Sequence, residues 1–311
     1  MYILIVATII ILLLLFIWIC NKKYKNSNYF LEDYNKIKKF VDGVPGNLEI
    51  VNTGSNHAYY GFNYDDKKYF NFASGSQSLN YDYKILKQYK NKLSPKCKVL
   101  IMVCLFSMSF SDYKNEESNI RYYFFLNKNL ILNYSKLKYF LYVKYPILKS
   151  WKNFIRIFLP KKNNKKMENI NTINNVKREA LCRINGWKKE FSIDDMNNDE
   201  NVKHLEKNFY ETKKILNNII IFCKNNGYEP IIVIPPVSKI LSEQISNKFM
   251  KKVLYDNIRF LKDKQIPILD YWKDDRLNDY KLYINSDFLN VKGSKLFTKI
   301  VLEDIKKIDK V

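Results

Sequence analysis

The first pattern along the chain is an unbroken apolar run, Tyr2 to Cys20, with no charged residue inside it. At about 1.5 Å of rise per residue a helix of that length nearly crosses a bilayer core of about 30 Å. The run lacks the basic start and small-residue cleavage site of a signal peptide, and bulky Trp18 and Ile19 before Cys20 do not suit a lipoprotein signal. It therefore predicts an uncleaved anchor over residues 1–21, followed by one domain over 22–311. Beyond it the period changes. Phe30 to Val41 predicts a short helix. Leu48 to Asn52 and Tyr69 to Ala73 predict strands that end near Gly54 and Gly75. Leu79 to Tyr89 predicts a helix, and Lys98 to Phe106 is the near-continuous apolar run expected of a strand covered on both faces. Pro230 to Ile234 and Ile266 to Leu269 supply two more strands. Helical periodicity over about 201–225, 241–263 and 292–308 separates or follows them. Strand–helix alternation of this kind predicts an α/β, doubly wound, mostly parallel sheet.

The section from about 110 to 200 fits no strand and predicts a helical insertion. Within it, Tyr134 to Leu159 interleaves aromatic with basic residues around Pro146. Three readings stay open there: a segment lying on a membrane surface, a lid over a site, or an ordinary pair of packed helices. Lys161 to Asn175 is polar and reads as a flexible loop.

Charge and cysteine content narrow the function classes. The formal net charge is +22, yet only six of the basic residues are arginine. Such a charge suits an anionic surface or polymer, and equally a Lys/Asn/Ile/Tyr-rich composition of genomic origin. Arginine is the residue that reads phosphates and bases bidentately, and no nucleic-acid-binding signature is present, so nucleic acid is not the expected partner. The five cysteines show no C-x-x-C spacing and predict no disulfide framework. Two histidines, His57 and His204, exclude a zinc site built on several imidazoles. No metal or other cofactor is expected.

Four segments carry candidate chemistry. Val51 to Phe62 (V-N-T-G-S-N-H-A-Y-Y-G-F) takes a strand through a glycine into a helix. Phe70 to Leu79 (F-N-F-A-S-G-S-Q-S-L), continuing through Tyr81-Asp82-Tyr83, spans the end of the second strand. Ile184 to Phe191 (I-N-G-W-K-K-E-F) lies in the insertion. Asn285 to Gly293 (N-S-D-F-L-N-V-K-G), followed by Phe297-Thr298, leads into the last helix. In order and spacing these residues resemble the SGNH (GDSL-like) hydrolase superfamily and, within it, a membrane-anchored cell-envelope branch of DltD-like proteins. The resemblance covers about residues 45–310. It implies a three-layer, flavodoxin-like fold and an esterase or O-acyltransferase acting on a polysaccharide or teichoic acid. It also implies possible protein partners in a biosynthetic complex. Gly54, Gly75 and Gln77 would line the oxyanion side of the pocket.

The family's triad positions read differently in this chain. The nucleophile slot holds Asn56, with Ser55 one residue early. The Asp-x-x-His slot reads Asn285, Ser286, Asp287, Phe288. A carboxamide is not a nucleophile and a phenyl ring accepts no proton. The alternative is therefore a catalytically degenerate relative that binds an envelope polymer or a partner. Ser55 and His57 are the remaining catalytic candidates. Residues two apart on a helix do not face each other, which disfavours a direct Ser55–His57 dyad and leaves His57 as a possible pocket-shaping residue. His204, in a Lys/Glu-rich stretch, is expected on a solvated face. The two signals for membrane side conflict: Lys22, Lys23 and Lys25 place the domain in the cytoplasm, while the resemblance implies the extracytoplasmic side.

Overall fold

The computed structural model describes residues 1–109, 119–158, 172–197 and 199–309, with the backbone alone for 199–201. Its contacts divide the chain into two compact units: Met1–Val44 with Asn115–Lys166, and Pro45–Lys114 with Met167–Val311. Most of the Lys161 to Asn175 stretch lies outside the described residues. Its end is helical, because Thr172 caps a helix that begins at Ile173 and accepts the backbone N–H of Asn175.

In the first unit, α1 (Tyr2–Lys25) is one helix, long and apolar enough to cross a membrane. Its last turns are the part that packs: Cys20 and Tyr24 are buried in a cluster with Ile147. Asn21 donates to the Lys144 carbonyl at 2.9 Å. α2 (Asn28–Val41) buries Ile37 and Phe40, with Phe40 stacked on Phe125 at 4.3 Å. The 134–158 stretch is a chain of short helical turns, Lys136–Tyr139, Phe140–Lys144, Pro146–Lys149 and Trp151–Arg156. Pro146 removes a backbone donor and restarts the helix there.

The second unit is built on a five-stranded, all-parallel sheet of order β2-β1-β3-β4-β5. The strands are β1 (Leu48–Thr53), β2 (Tyr69–Asn71), β3 (Leu93–Met102), β4 (Glu229–Ile234) and β5 (Ile268–Asp270). The helices that position the site are α3 (Asn56–Gly61), α4 (Leu79–Tyr89), α5 (Ile173–Phe191), α6 (Glu206–Asn225) and α7 (Val291–Ile308). Alternation along the strands sends Ile50, Leu100, Met102 and Val233 to one face. There they meet Ala58 of α3 and Phe297, Ile300 and Val301 of α7. α4 and α6 pack on each other, and α6 packs on β4. The order 2-1-3-4-5 is that of flavodoxin-like doubly wound folds, and it puts the topological switch between β1 and β3.

β3 begins five residues before the apolar run Lys98–Phe106 and ends at Met102. The early part pairs through a register shift, with Lys96 in the left-handed region at φ +60°. After Met102 the Val103 N–H still bonds Val233 O at 2.9 Å, and then the chain turns at Cys104. The predicted helix over 241–263 is broken. Ser238 caps one turn and Ser246 caps a second start, accepting the Phe249 N–H at 3.1 Å.

Candidate functional site

The carboxyl ends of β1, β2 and β3 converge on one edge, where doubly wound sheets place their ligand crevice. At the end of β1 the turn is fixed by Gly54 at φ +130°. A Cβ there would lie 3.0 Å from the Ala58 Cβ and 3.1 Å from the Met102 Cβ. No L side chain fits that conformation or that space. The Gly54 N–H bonds Asp82 Oδ1 at 3.0 Å, so it is committed to the turn. Gln77 is buried and donates to the same carboxylate oxygen at 2.6 Å and to Phe72 O at 3.1 Å. The structure thus places Gln77 as a brace for the β2 turn.

Asn56, first residue of α3, meets Gly75 directly: a Cβ on Gly75 would fall 2.9 Å from Asn56 Oδ1. Asn56 and the glycine after β2 therefore face each other across the crevice, Asn56 presenting its carboxamide. Ser55 caps α3, its Oγ accepting the Asn56 N–H at 2.6 Å.

The Asx turn before α7 explains what the Asn285–Phe288 slot does. Asn285 Oδ1 accepts the backbone N–H groups of Asp287 and Phe288, each at 2.8 Å. This asparagine shapes the turn and carries no charge. The charge sits two residues on. Asp287, 2% exposed, is held by Arg183 Nε at 2.9 Å from Oδ2, and His57 Nε2 stands 3.2 Å from Oδ1. That second approach is not aligned as a hydrogen bond, so Oδ1 is buried without a formal donor. Burial pushes His57 below its ordinary value of 6.5; the Asp287 charge pulls it back up and Arg183 pushes it down again. The imidazole is therefore neutral at pH 7.

Phe288 follows Asp287 and covers the cluster. Its ring lies edge-on to His57 at 5.1 Å, stacks on Tyr60 at 5.3 Å, and carries the Arg183 guanidinium over it at 5.1 Å. Trp187, one turn along α5, is 5.9 Å from the same guanidinium and tilts against Phe106 at 5.3 Å. The Ile184–Phe191 segment thus lies on α5, which reaches the crevice through Arg183 and Trp187.

Cys104, at the end of β3, is the remaining nucleophilic type nearby. Its backbone N–H bonds Ser107 Oγ at 2.8 Å, and its Sγ lies 3.1 Å from that oxygen. Burial raises the thiol above its ordinary range and the Asp287 charge adds to the rise, so it rests as a neutral thiol. His204 stands apart, exposed, with Nε2 2.7 Å from the Phe191 carbonyl. Among the described residues no group of three His, Cys, Asp or Glu side chains is placed to hold a metal ion.

Arg183 is the residue that sequence reasoning missed. One signal for it exists. Asp287 follows Ser286 and precedes Phe288 and Leu289, a buried setting in which a carboxylate needs a cation.

No family model matches the chain, and no curated protein matches it. Among solved structures it is similar to a Bacteroides fragilis NCTC 9343 protein provisionally named an acylhydrolase. The identity is 9%, over 88% of this chain and 96% of that one, with a TM-score of 0.42.

Proposed function

We propose that the second unit is a catalytically degenerate SGNH-like domain that binds an anionic, acylated or glycosidic cell-envelope polymer, tethered to the membrane by α1. What supports this reading is that Asn56 faces Gly75 and Phe288 packs edge-on to His57, the two positions that the resemblance would give to a nucleophile and a base. The chemistry of the walls suits such a ligand. The carboxamide both donates and accepts, the rings of Tyr60 and Trp187 offer apolar surface to sugar C–H groups, and Arg183 offers a cation to phosphate or carboxylate.

A second reading draws on the His57–Asp287 pair. A neutral imidazole beside a carboxylate can accept a proton from a ligand hydroxyl, as an O-acyltransferase or esterase requires. One experiment separates the two: reaction of the full-length protein with a serine-directed phosphonate. Binding alone predicts no labelling in wild type or in Asn56→Ser, since Phe288 still blocks the base position. Stoichiometric labelling of wild type that disappears in Ser55→Ala would overturn the degenerate reading and make Ser55 the nucleophile.

A further inference from the structure

The first unit presents a surface that its own packing leaves unexplained. Along Lys136–Phe158 the large apolar side chains Leu137, Phe140, Trp151, Ile155 and Phe158 are exposed, Trp151 at 68% and Phe158 at 80%. From 119 to 158 the chain carries six lysines and two arginines and no acidic residue. A soluble surface rarely combines bulky exposed apolar groups with so one-signed a run of basic residues.

The position of this stretch supplies the reason. It packs on the exit of α1: Ile147 is buried against Cys20 and Tyr24, and Ile17, Phe154 and Ile157 pack around that cluster. Asn21 ties the two together, donating to Lys144 O and accepting from the Ile147 N–H at 3.4 Å. The Arg156 guanidinium lies over Tyr29 at 5.1 Å. α1 is about 36 Å long at 1.5 Å per residue, and a bilayer core is about 30 Å thick. If Tyr2 begins the span, Ile17 to Tyr24 lie where the helix leaves hydrocarbon for headgroups. The segment clasping those residues is then at headgroup depth, where exposed Trp and Phe are favoured and lysines meet lipid phosphate.

We infer that Lys136–Phe158 is a second membrane contact, a collar seated in the headgroup layer of an anionic bilayer around the exit of α1. This rests on the tether reading of α1. The collar holds the exit of α1 through the Asn21 bonds to Lys144 and Ile147, the burial of Ile147 against Cys20 and Tyr24, and Arg156 over Tyr29.

Tryptophan quenching tests it in the full-length protein, reconstituted in phosphatidylcholine–phosphatidylglycerol vesicles whose lipids are brominated near the top of the acyl chain. Wild type, Trp18→Phe and Trp151→Phe give the emission share of each residue by difference. Both side chains are exposed, so neither substitution threatens the fold. The expected result is a loss of the Trp151 share comparable with that of the Trp18 share. Loss of the Trp18 share alone would overturn the collar and leave the span standing. Loss of neither would overturn both. Loss of the Trp151 share alone would overturn the span and, with it, a collar around its exit. Omitting phosphatidylglycerol is expected to weaken quenching of Trp151; equal quenching would overturn the anionic preference.

Discussion

Removing the guanidinium from Arg183 tests the electrostatics of the crevice. Arg183→Met keeps much of the aliphatic stem and leaves Asp287, 2% exposed, beside a neutral imidazole. At 2.9 Å and an effective dielectric of about 20 the lost attraction is about 6 kcal/mol gross. Desolvation offsets much of that, and truncating one partner of a fully buried pair costs about 3–5 kcal/mol. The Arg183 side chain is 33% exposed, so solvent already screens the pair and the expected cost falls to about 2–3 kcal/mol. For a domain of roughly 200 residues each kcal/mol lowers Tm by about 2–4 °C, giving a drop of about 5–10 °C. Thermal unfolding of the full-length protein in detergent, followed by circular dichroism, reads it.

The pH dependence has a definite sign. In wild type the folded state holds His57 below its ordinary value, so the unfolded chain binds a proton more readily. Stability is then lost as pH falls through about 6.5. Arg183 contributes to that depression, and its removal raises the folded His57 value. A proton on His57 also gives Asp287 a cation again. The deficit of Arg183→Met relative to wild type should therefore narrow between about pH 8 and about pH 5.5. The His57 ring resonance, distinguished from His204 by a His204→Gln control, should titrate at higher pH in the variant. Arg183→Met/Asp287→Asn leaves no buried charge and should recover most of the loss. A Tm within about 2 °C of wild type for the single variant would refute the reasoning, and so would strictly additive losses in the double variant.

Two further perturbations separate packing from function. Gly54→Ala forces a Cβ into the left-handed region against Ala58 and Met102 and should cost more than about 2 kcal/mol in urea unfolding. Gly75→Ala meets only the movable end of Asn56, so it should cost under about 1 kcal/mol while abolishing polymer-induced changes in Trp187 emission. Equal destabilisation by the two would contradict the distinction. Deleting residues 1–16 keeps Ile17, Cys20 and Tyr24 over Ile147 and should leave the first unit protease-resistant. Deleting 1–25 uncovers that cluster and should expose 144–153 to cleavage, as limited proteolysis will show.

The sheet was legible wherever a strand is buried on both faces. Leu48–Thr53, Glu229–Ile234 and helix Leu79–Tyr89 stand where their patterns place them, because parallel strands and capped amphipathic helices announce themselves locally. The early part of β3 was hidden, since Ser94-Pro95-Lys96 reads as a turn and pairs only through a shifted register. The broken helix after Ser238 was hidden for the opposite reason: Ser246 sits within a helical period, and its capping bond decides the local outcome. In the crevice, Gly54 follows from local turn chemistry, whereas the Asn56–Gly75 opposition was implied by the resemblance alone. Arg183 follows from neither, because it lies on a helix far in sequence from both His57 and Asp287, and no local pattern encodes that meeting.

The ionic cluster bears on what the crevice is for. A carboxylate, a guanidinium and an imidazole held together under aromatic cover are not the cheapest way to fill a protein edge. Apolar residues of the same volume would be as stable or more so. Asn285 already satisfies the turn before α7 without any charge, so the backbone does not require Asp287. The Asp287 Oδ1, buried without a formal donor, and the neutral His57 next to it remain half-committed to each other. A ligand hydroxyl brought against both could donate to the carboxylate and accept from an imidazole N–H, completing both. A ligand that holds His57 neutral depresses its folded value further, so with saturating polymer the loss of Tm that sets in below about pH 6.5 should continue to lower pH. An acid limb unchanged by ligand would mean that the polymer binds elsewhere and that the cluster serves only to orient Phe288.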